Sequence, residues 1–448
     1  MRVSERLDRL PLGRFHYKLL LLSGLGWFFD SMDTGLISFI LPHLKDEWSL
    51  SPTQIGWTGT GALLGMLVGG ALAGILSDRY GRKRIFQVTL LIFSIATGLC
   101  GFAWSFTSLL LLRVVVGLGL GGELPVAASL VSEFSPARHR GRLVVLLESF
   151  WALGWTVALL IGYFLVSWSE SRGSPFPWRF AFLIGALPAF YVLILRRSLP
   201  ESPRFLVSRG RIDEAESTLR AVESGIGVTT APGDRLEPDP DSGRPARVRD
   251  LFGPEFLRRT AMLWILWFTM AYSFYGIFIW LPTLLYEQGL PMAKSIRFSL
   301  FITLAQLPGY FAAAYLVEKI GRKATLAPFM LLCAVASYFF GLAHTPSELI
   351  AWGCMVSFFN LGAWGVTYGY TPELYPTRLR GTGAGSAAAF GRLGAILAPL
   401  IVGAILESWG GGFPLIFTMF AGVLVVGAAG VMLLGEETRG RTLEQISG

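Results

Sequence analysis

Apolar stretches of about 20 residues, separated by short polar segments, run through most of the chain. A helix needs roughly 20 apolar residues to cross a bilayer core about 30 Å thick. The pattern therefore predicts an all-α integral membrane protein with 12 transmembrane helices. The predicted spans cover residues 19–42, 55–76, 85–104, 107–131, 143–167, 178–197, 260–286, 296–317, 325–343, 348–371, 384–406 and 413–434.

The composition supports the same class of protein. Hydrophobic residues make up 53% of the 448 residues and charged residues 15%, whereas a soluble chain carries about 25% charged residues. This argues against a soluble enzyme and, despite the formal net charge of +8, against a nucleic-acid-binding protein. We also expect no membrane-embedded enzyme, no cofactor and no metal, because the four histidines lie at span ends or in loops, without a metal-ligand or nucleophile motif.

The positive charges are distributed unevenly between the two sides of the membrane. Of the 38 Lys and Arg residues, five lie in the loops or at the span ends of one side and two lie deep within spans, while the others lie on the side of the N-terminus. Cytoplasmic loops carry an excess of Lys and Arg. We therefore expect a multi-pass protein of the cell (inner) membrane with cytoplasmic N- and C-termini.

Two motifs recur at a spacing of 240 residues. Segment 78–83 is matched by 318–323, and segment 133–141 by 373–381. A repeat of this kind predicts two parallel six-span halves, and transporters built in this way bind substrate between the halves. The predicted divisions are a cytoplasmic segment 1–18, a first bundle 19–197, a cytoplasmic linker 198–259, a second bundle 260–434 and a cytoplasmic tail 435–448.

The linker contains two kinds of sequence. Residues 208–223 have the pattern of a short amphipathic helix, whereas residues 231–249 contain four prolines and many charges. The second stretch is typical of a flexible segment. We interpret it as a tether, with a regulatory element as the alternative.

Several of these segments resemble a known family. Segment 74–84, GILSDRYGRKR, resembles the loop motif between spans two and three of the major facilitator superfamily, and PESPRFL and EETRG resemble its sugar-porter and organic-ion branches. More narrowly, GWFFDSMDTGLISFILP, LLESFWALGW, FFNLGAWGV and FGRLGAILAPL together resemble bacterial nicotinate (niacin) permeases, although related aromatic-acid and metabolite porters share much of this pattern. The resemblance covers essentially the whole chain. It implies the major facilitator fold, with two pseudo-symmetric six-helix bundles, and a monomeric secondary transporter.

Six charged residues lie inside the predicted spans away from their ends, and would together carry two net negative charges if all were ionised. Such a charge is expensive in a low dielectric, so at least one carboxyl group is expected to be protonated. A carboxyl that gains and loses a proton is what proton coupling needs. The six residues are Asp30, Asp33, Arg113, Glu123, Glu148 and Arg392.

The resemblance assigns a role to two of these residues. The sequences around Asp33 and Arg113 are similar to those of a proton-coupled Asp and its Arg partner in sugar porters. Asp30 lies three residues earlier on the same helix face and could share the proton, and we place Glu123 with this group, with structural hydrogen bonding as its alternative. A static ion pair between helices is the other interpretation of the group.

Arg392 is the one charged residue of the second half that lies inside a span away from its ends. A guanidinium without a partner attracts an anion, and a carboxylate can accept hydrogen bonds from both arms of its fork. The resemblance implies the same role, since an arginine in a similar sequence context binds the substrate anion in organic-anion transporters of this superfamily. Alternatively, Arg392 could pair with Glu148 in the empty protein. Glu148 stands where sugar porters carry an amide, which disfavours a sugar, and its protonated carboxyl could donate to a ring nitrogen.

Uncharged residues complete the predicted substrate site. Trp151, Tyr275 and Trp364 lie mid-span beside small or polar residues, so we expect a flat ring to stack on them. Asn360 and Gln306 are polar groups within spans that could contact the substrate or bond to neighbouring backbone.

The repeated loop motifs predict a cytoplasmic gate. Asp78 can accept hydrogen bonds from backbone N–H groups at a helix start, while Arg82 and Lys83 can reach carbonyls or acids of adjacent helices. The cluster would then latch one access state, with Glu318 as a weaker counterpart in the second half. The predicted gate comprises Gly74, Asp78, Arg79, Gly81, Arg82, Lys83, Glu133, Arg140, Glu318, Arg322, Glu373 and Arg380.

These observations favour secondary active uptake of a small aromatic monocarboxylate, nicotinate first, with protons as the coupling ion and alternating access as the mechanism. The alternatives are a proton symporter of another aromatic acid or metabolite, such as a benzoate-like acid or a sugar, and a nutrient sensor that does not transport. The expected partners are the substrate, protons and the lipid bilayer.

Overall fold

A computed structural model describes residues 3–228, 248–408 and 412–439. Some side chains within these ranges, including those of Asp78 and Arg140, lie outside the description. The described chain is helical. Its α-helices are α1 Val3–Asp8, α2 Arg14–Trp48, α3 Pro52–Tyr80, α4 Arg82–Cys100, α5 Phe106–Phe134, α6 Ala137–Arg172, α7 Trp178–Gly185, α8 Pro188–Ser198, α9 Pro203–Ser208, α10 Ile212–Ile226, α11 Leu257–Glu287, α12 Met292–Leu304, α13 Gln306–Ile320, α14 Arg322–Gly341, α15 Pro346–Tyr370, α16 Thr377–Ser408 and α17 Phe413–Leu434, with 3-10 turns at Val248–Phe252 and Thr371–Leu374.

Eleven helical stretches of the described chain are long and apolar enough to cross a membrane. The first predicted span lies in α2, which is also long enough at 35 residues, but Asp30 and Asp33 reduce its hydropathy. Both acids are buried against other helices, so α2 belongs to the first bundle all the same. The predicted arrangement of 12 membrane-spanning helices is thereby confirmed.

Two predicted spans are each divided into two helices. Residues 178–197 form α7 and α8, and residues 296–317 form α12 and α13. Pro188 and Pro308 account for the breaks, because a proline lacks an N–H and its ring clashes with the carbonyl four residues earlier. Leu304, four residues before Pro308, is the last residue of α12.

The repeat of 240 residues is visible in the turns between helices. Gly81 and Gly321 join α3 to α4 and α13 to α14, and their φ angles are +100° and +103°, which favour glycine. A Cβ atom on Gly81 would lie 2.3 Å from Oε2 of Glu201, and one on Gly321 would lie 2.5 Å from the carboxyl of Glu437. Both turns therefore need glycine for conformation and for space.

The N-terminal helix packs onto the linker. Residues 208–223, predicted as one helix, are divided between the end of α9, a turn and α10. In α1, the Nε and Nη2 atoms of Arg6 donate to the carboxylate of Glu223 in α10, at 2.5 and 2.7 Å, and both residues are buried. The stretch predicted to be flexible, 231–249, falls almost entirely outside the described residues.

We call the end of the molecule that carries Gly81, Gly321 and α10 the linker face. At the opposite face the two halves meet directly. Lys45 forms an ion pair with Glu287, and the hydroxyl of Tyr286 donates to Oδ2 of Asp46 at 3.1 Å. The backbone N–H of Thr53 donates to Glu407 at 2.9 Å. These contacts close the opposite face.

Helices α3 and α5 touch backbone to backbone. A Cβ atom on Gly65 would lie 2.0 Å from the carbonyl oxygen of Val114, and one on Gly117 would lie 1.9 Å from that of Ala62. Small residues permit such an approach between membrane helices. The packing of α3 against α5 therefore requires glycine at these positions, because no side chain fits between the two backbones.

We predict that Gly65→Ala lowers the stability of the protein by at least the roughly 1–3 kcal/mol typical of overpacking, because the added methyl group meets backbone atoms. The measurement is the thermal unfolding temperature of the purified protein in detergent. Gly422→Ala in α17 is the matched control, since a Cβ atom there meets nothing within 4 Å. Equal unfolding temperatures for the two variants would contradict this account of the packing.

Candidate binding cavity

A cavity of about 320 Å³ lies between the two halves, within the range of roughly 300–1,000 Å³ that small-molecule sites occupy. It extends from Arg392 and Ala395 on α16 to Thr371 and Pro372 at the linker-face end of α15. Its wall is formed by Trp27, Ala128, Glu148, Trp151, Trp267, Ala271, Phe274, Tyr275, Tyr310, Leu361, Trp364, Tyr368, Thr371, Pro372, Ala384, Gly385, Ala388, Arg392 and Ala395.

Arg392 brings a positive charge into this wall. Its side chain is partly exposed to the cavity and makes no hydrogen bond or ion pair with any described residue. Asp30, Tyr275 and Tyr368 lie close enough to interact with it electrostatically. The alternative pairing of Arg392 with Glu148 is therefore not formed in this structure.

Other polar groups of the wall also lack partners. The indole N–H groups of Trp27 and Trp364 are buried and donate to no acceptor within the described chain. Glu148 is 4% exposed and lies near the indole of Trp27. Buried polar groups are normally hydrogen-bonded. The indole N–H of Trp364 and the guanidinium of Arg392, which lack described partners, therefore suit a ligand with its own acceptors.

Aromatic rings surround these groups. The ring centroids of Trp27 and Trp151 are 4.6 Å apart, and Trp364 stacks on Tyr368 at 5.5 Å. Tyr275 meets the edge of Trp151 at 6.4 Å. Rings at such distances form walls on which a flat ring can stack.

The structure brings five of the seven predicted substrate residues into the wall: Arg392, Glu148, Trp151, Tyr275 and Trp364. Asn360 is absent from the wall, because its Nδ2 atom donates to Oγ of Ser273 at 3.0 Å, away from the cavity. Gln306 is also absent. It is fully buried at the start of α13, and neither atom of its amide finds a described partner.

Several wall residues were missed by the sequence prediction. Trp27, Phe274 and Tyr368 belong to aromatic clusters that flank the buried charges, but the sequence does not show which ring of a cluster faces inward. Tyr310 carries no signal of its own. It lies on α13, which begins at Gln306 after the break in the predicted span, and it lines the cavity.

The acids of the first half form a cluster beside the cavity. Nη1 of Arg113 donates to Oδ2 of Asp33 at 2.8 Å, and Thr97 donates to Oδ1 at 2.6 Å, so that Asp33 is fully paired. Asp30 is 1% exposed and its Oδ1 has no described partner. Glu123 accepts a hydrogen bond from Thr89 at 2.6 Å. The predicted coupling pair is thus a buried ion pair, and its role stays a prediction.

At the linker face, the predicted gate residues of the first half form a network. Nε of Arg82 lies 3.3 Å from Oε1 of Glu133, and Ser202 also donates to Glu133. Glu201 accepts hydrogen bonds from the backbone N–H groups of Arg82 and Lys83 at 2.9 and 3.2 Å. The network connects the start of α4 to the end of α5 and to the linker.

The second half repeats this network with its own residues. Nη2 of Arg322 donates to Glu373 at 2.7 Å, and its backbone N–H donates to Glu437 at 2.8 Å. Burial opposes the charge of Glu437, but four backbone N–H donors outweigh it and lower the pKa of this carboxyl. The donors belong to Arg322, Ala324, Thr438 and Arg439.

The remaining gate residues contribute less. Arg79 is exposed, and its carbonyl accepts a hydrogen bond from Arg209 at 2.9 Å. Arg380 donates to the carbonyl of Pro372 at 3.1 Å. Glu318, predicted as a second latch, is exposed and forms no hydrogen bond or ion pair with the described residues. A Cβ atom on Gly74 would meet nothing within 4 Å, and the side chains of Asp78 and Arg140 lie outside the description.

Among the described residues, no group of three or more His, Cys, Asp or Glu side chains could hold a metal ion.

Comparisons with known proteins agree with the fold. The family described as sugar (and other) transporter matches residues 27–448. The niacin transporter NiaP of Acinetobacter baylyi is 49% identical over 446 residues, covering 100% of both chains. The putative niacin/nicotinamide transporter NiaP of Bacillus subtilis is 44% identical, covering 95% of this chain and 98% of that protein.

A solved structure shows the same architecture. The proton:xylose symporter XylE of the major facilitator superfamily, bound to 6-bromo-6-deoxy-D-glucose, superposes with a TM-score of 0.74 at 21% identity, over 96% of this chain and 98% of that one. At this identity the likeness concerns the fold alone. Family membership excludes the alternative of a membrane enzyme. The chain belongs to the sugar (and other) transporter family of the major facilitator superfamily and is a membrane transporter.

Proposed function

We propose that this transporter carries a small aromatic monocarboxylate together with a proton, and that nicotinate is the substrate its cavity fits best. The observation that carries the proposal is the guanidinium of Arg392, which has no partner among the described residues and lies in an aromatic cavity between the halves. Two relatives whose names include niacin, at 49% and 44% identity, support the same substrate.

The shape and chemistry of nicotinate match the wall residues. Its carboxylate can accept both arms of the Arg392 fork, and its flat ring can stack between Trp151, Tyr275 and Trp364. The ring nitrogen lies away from the carboxylate and needs a donor. A protonated Glu148 would be that donor, and this hydrogen bond is the one that benzoate lacks.

Proton coupling follows from the buried acids. In the Asp33–Arg113 ion pair, protonation of Asp33 would release Arg113 and loosen the contact between α2 and α5. Moving one proton with one monoanion is electroneutral, so the pH gradient would drive uptake. We propose that Glu123, hydrogen-bonded by Thr89, supports the same cluster.

The cavity and the charge distribution also suggest the orientation. We place the linker face in the cytoplasm of the cell, since the loops of this face carry most of the Lys and Arg residues. The gate networks would then close the cytoplasmic side in the alternate state. We propose that the monomer is the transport unit, because the cavity lies between the two halves of one chain.

We predict saturable uptake of labelled nicotinate by proteoliposomes with an alkaline interior. Benzoate should compete more weakly because it lacks the ring nitrogen, nicotinamide should compete weakly because it lacks the charge, and a hexose should not compete. Saturable hexose uptake that nicotinate does not inhibit would refute the substrate assignment. Nicotinate that binds without crossing the membrane would favour a sensor.

We predict that Arg392→Ala weakens nicotinate binding roughly 10- to 100-fold, because a hydrogen bond to a charged group contributes about 1.5–3 kcal/mol. Binding to the purified protein is measured by isothermal titration calorimetry. Arg297→Ala is the control, since Arg297 is exposed on α12 outside the cavity wall. Unchanged affinity in Arg392→Ala would remove Arg392 from the site.

We predict that Asp33→Asn abolishes nicotinate accumulation driven by a pH gradient but spares exchange of labelled for unlabelled nicotinate, because exchange needs no net proton movement. Both rates are measured in the same proteoliposomes. Glu170→Gln, an exposed carboxyl at the end of α6, serves as the control. Normal accumulation by Asp33→Asn would show that coupling lies elsewhere.

A further inference from the structure

A second cavity, of about 530 Å³, lies on the outer side of the second half, between α11, α16 and α17. All of its lining residues belong to the second half, and Val426 in its wall is 59% exposed. We call it the outer groove. Its lining includes Ile265, Phe268 and Thr269 on α11, Phe390 on α16, and Gly422 and Val426 on α17.

The outer groove is apolar. Thr269 carries the one polar side chain among its described lining residues, and its hydroxyl already donates to the carbonyls of Ile265 and Leu266 at 2.9 and 3.0 Å. A Cβ atom on Gly422 would meet nothing within 4 Å, so the groove is open at this glycine. The groove therefore has room for hydrocarbon and no hydrogen-bonding group to offer a polar ligand.

Arg258 lies above the groove, at the linker face. Ile265 and Thr269 follow it by seven and eleven residues on α11, which is close to two and three whole turns and places all three on one side of the helix. On α17, Leu433 follows Val426 by seven residues. Nη2 of Arg258 donates to the carbonyl oxygen of Leu433 at 3.0 Å. The two helix faces that form the groove thus meet at Arg258.

The charge of Arg258 is not balanced within the described chain. Its side chain is exposed, and it has no ion pair and no hydrogen bond with a described residue besides the one to Leu433. The guanidinium of the neighbouring Arg259, in contrast, pairs with Glu436 at 3.0 Å. With a rise of 1.5 Å per residue, Ile265 and Thr269 lie about 10 and 16 Å below Arg258 along the helix. This is the depth of the acyl chains in one leaflet, since the whole hydrocarbon core is about 30 Å thick.

We propose that the outer groove binds a membrane phospholipid with net negative charge. One acyl chain fills the groove, and the phosphate accepts hydrogen bonds from the guanidinium of Arg258. A zwitterionic phospholipid has the same chains, but its headgroup cation opposes the attraction to Arg258. This site is separate from the substrate cavity and does not depend on which substrate is carried.

The groove lies directly behind the wall of the substrate cavity. Trp267 and Arg392 face the cavity, whereas Phe268 and Phe390, on the same two helices, face the groove. A Cβ atom on Gly394 would lie 2.4 Å from the carbonyl oxygen of Phe268, so α11 and α16 touch through their backbones. A lipid chain in the groove would therefore pack on the outer side of the helices that carry Arg392 and Trp267.

The test is native mass spectrometry of the purified, full-length protein in detergent, titrated with dioleoyl-phosphatidylglycerol or with dioleoyl-phosphatidylcholine. The wild type should retain one phosphatidylglycerol with an affinity about tenfold or more above that for phosphatidylcholine, as expected for a hydrogen bond between charged groups. Arg258→Gln should lose this preference. Arg197→Gln, which removes an exposed arginine at the linker-face end of α8, should keep it.

A second variant tests the acyl-chain site. Gly422→Phe fills the groove and should lower the retention of both lipids. Val425→Phe adds the same ring to an exposed position of α17 that does not line the groove and should retain phosphatidylglycerol as the wild type does. The proposal is overturned if the wild type retains no lipid, if Gly422→Phe retains lipid normally, or if Arg258→Gln still prefers phosphatidylglycerol.

A measurement on the wild type covers the case in which a variant does not fold. The protein is reconstituted in phosphatidylcholine vesicles that contain a small fraction of phosphatidylglycerol with a photoactivatable diazirine on one acyl chain. After illumination, peptide mapping should find the label concentrated in segments 265–269 and 419–426. Label spread evenly over the lipid-facing helices would contradict a specific site.

Discussion

An ionised side chain among membrane helices must find an opposite charge or give up its own. The first half satisfies this requirement internally, because Arg113 and Asp33 pair at 2.8 Å with almost no exposure. The second half does not, since Arg392 has no described hydrogen-bonding partner. The cavity therefore presents a positive charge that an anionic ligand of the proposed kind would balance, and the aromatic wall would then select among such anions.

The placement of contacts between the halves determines how a ligand reaches that charge. Ion pairs and hydrogen bonds join α2 to α11 and the start of α3 to the end of α16 at the face away from the linker. The cavity extends the other way, toward Thr371. Because its wall includes both Glu148 and Arg392, a bound molecule would contact both halves at once. Binding would therefore depend on the relative position of the two halves.

The sequence was sufficient to predict the number of spans, the repeat and most charged or polar residues near the site, since buried charge in an apolar run is rare enough to notice. The sequence did not predict all of the aromatic residues that line the cavity. Nothing in the sequence distinguishes Tyr310 and Trp267 from aromatic residues that do not line a cavity. Which way their rings point depends on the rotation of each helix, and the sequence does not show the break before Gln306. For Asn360 the sequence left two roles open, since a mid-span amide can contact a substrate or bond within the protein, and in the structure it donates to Ser273 outside the cavity wall.

The contact between Asp46 and Tyr286 joins two positions that are 240 residues apart, the length of the repeat. Each residue is thus the counterpart of the other in its own half, and the two meet near the pseudo-two-fold axis. Two identical ancestral copies would have set aspartate against aspartate, or tyrosine against tyrosine, at this point. A hydrogen bond between a donor and an acceptor at such an axis therefore requires the two halves to differ in sequence there.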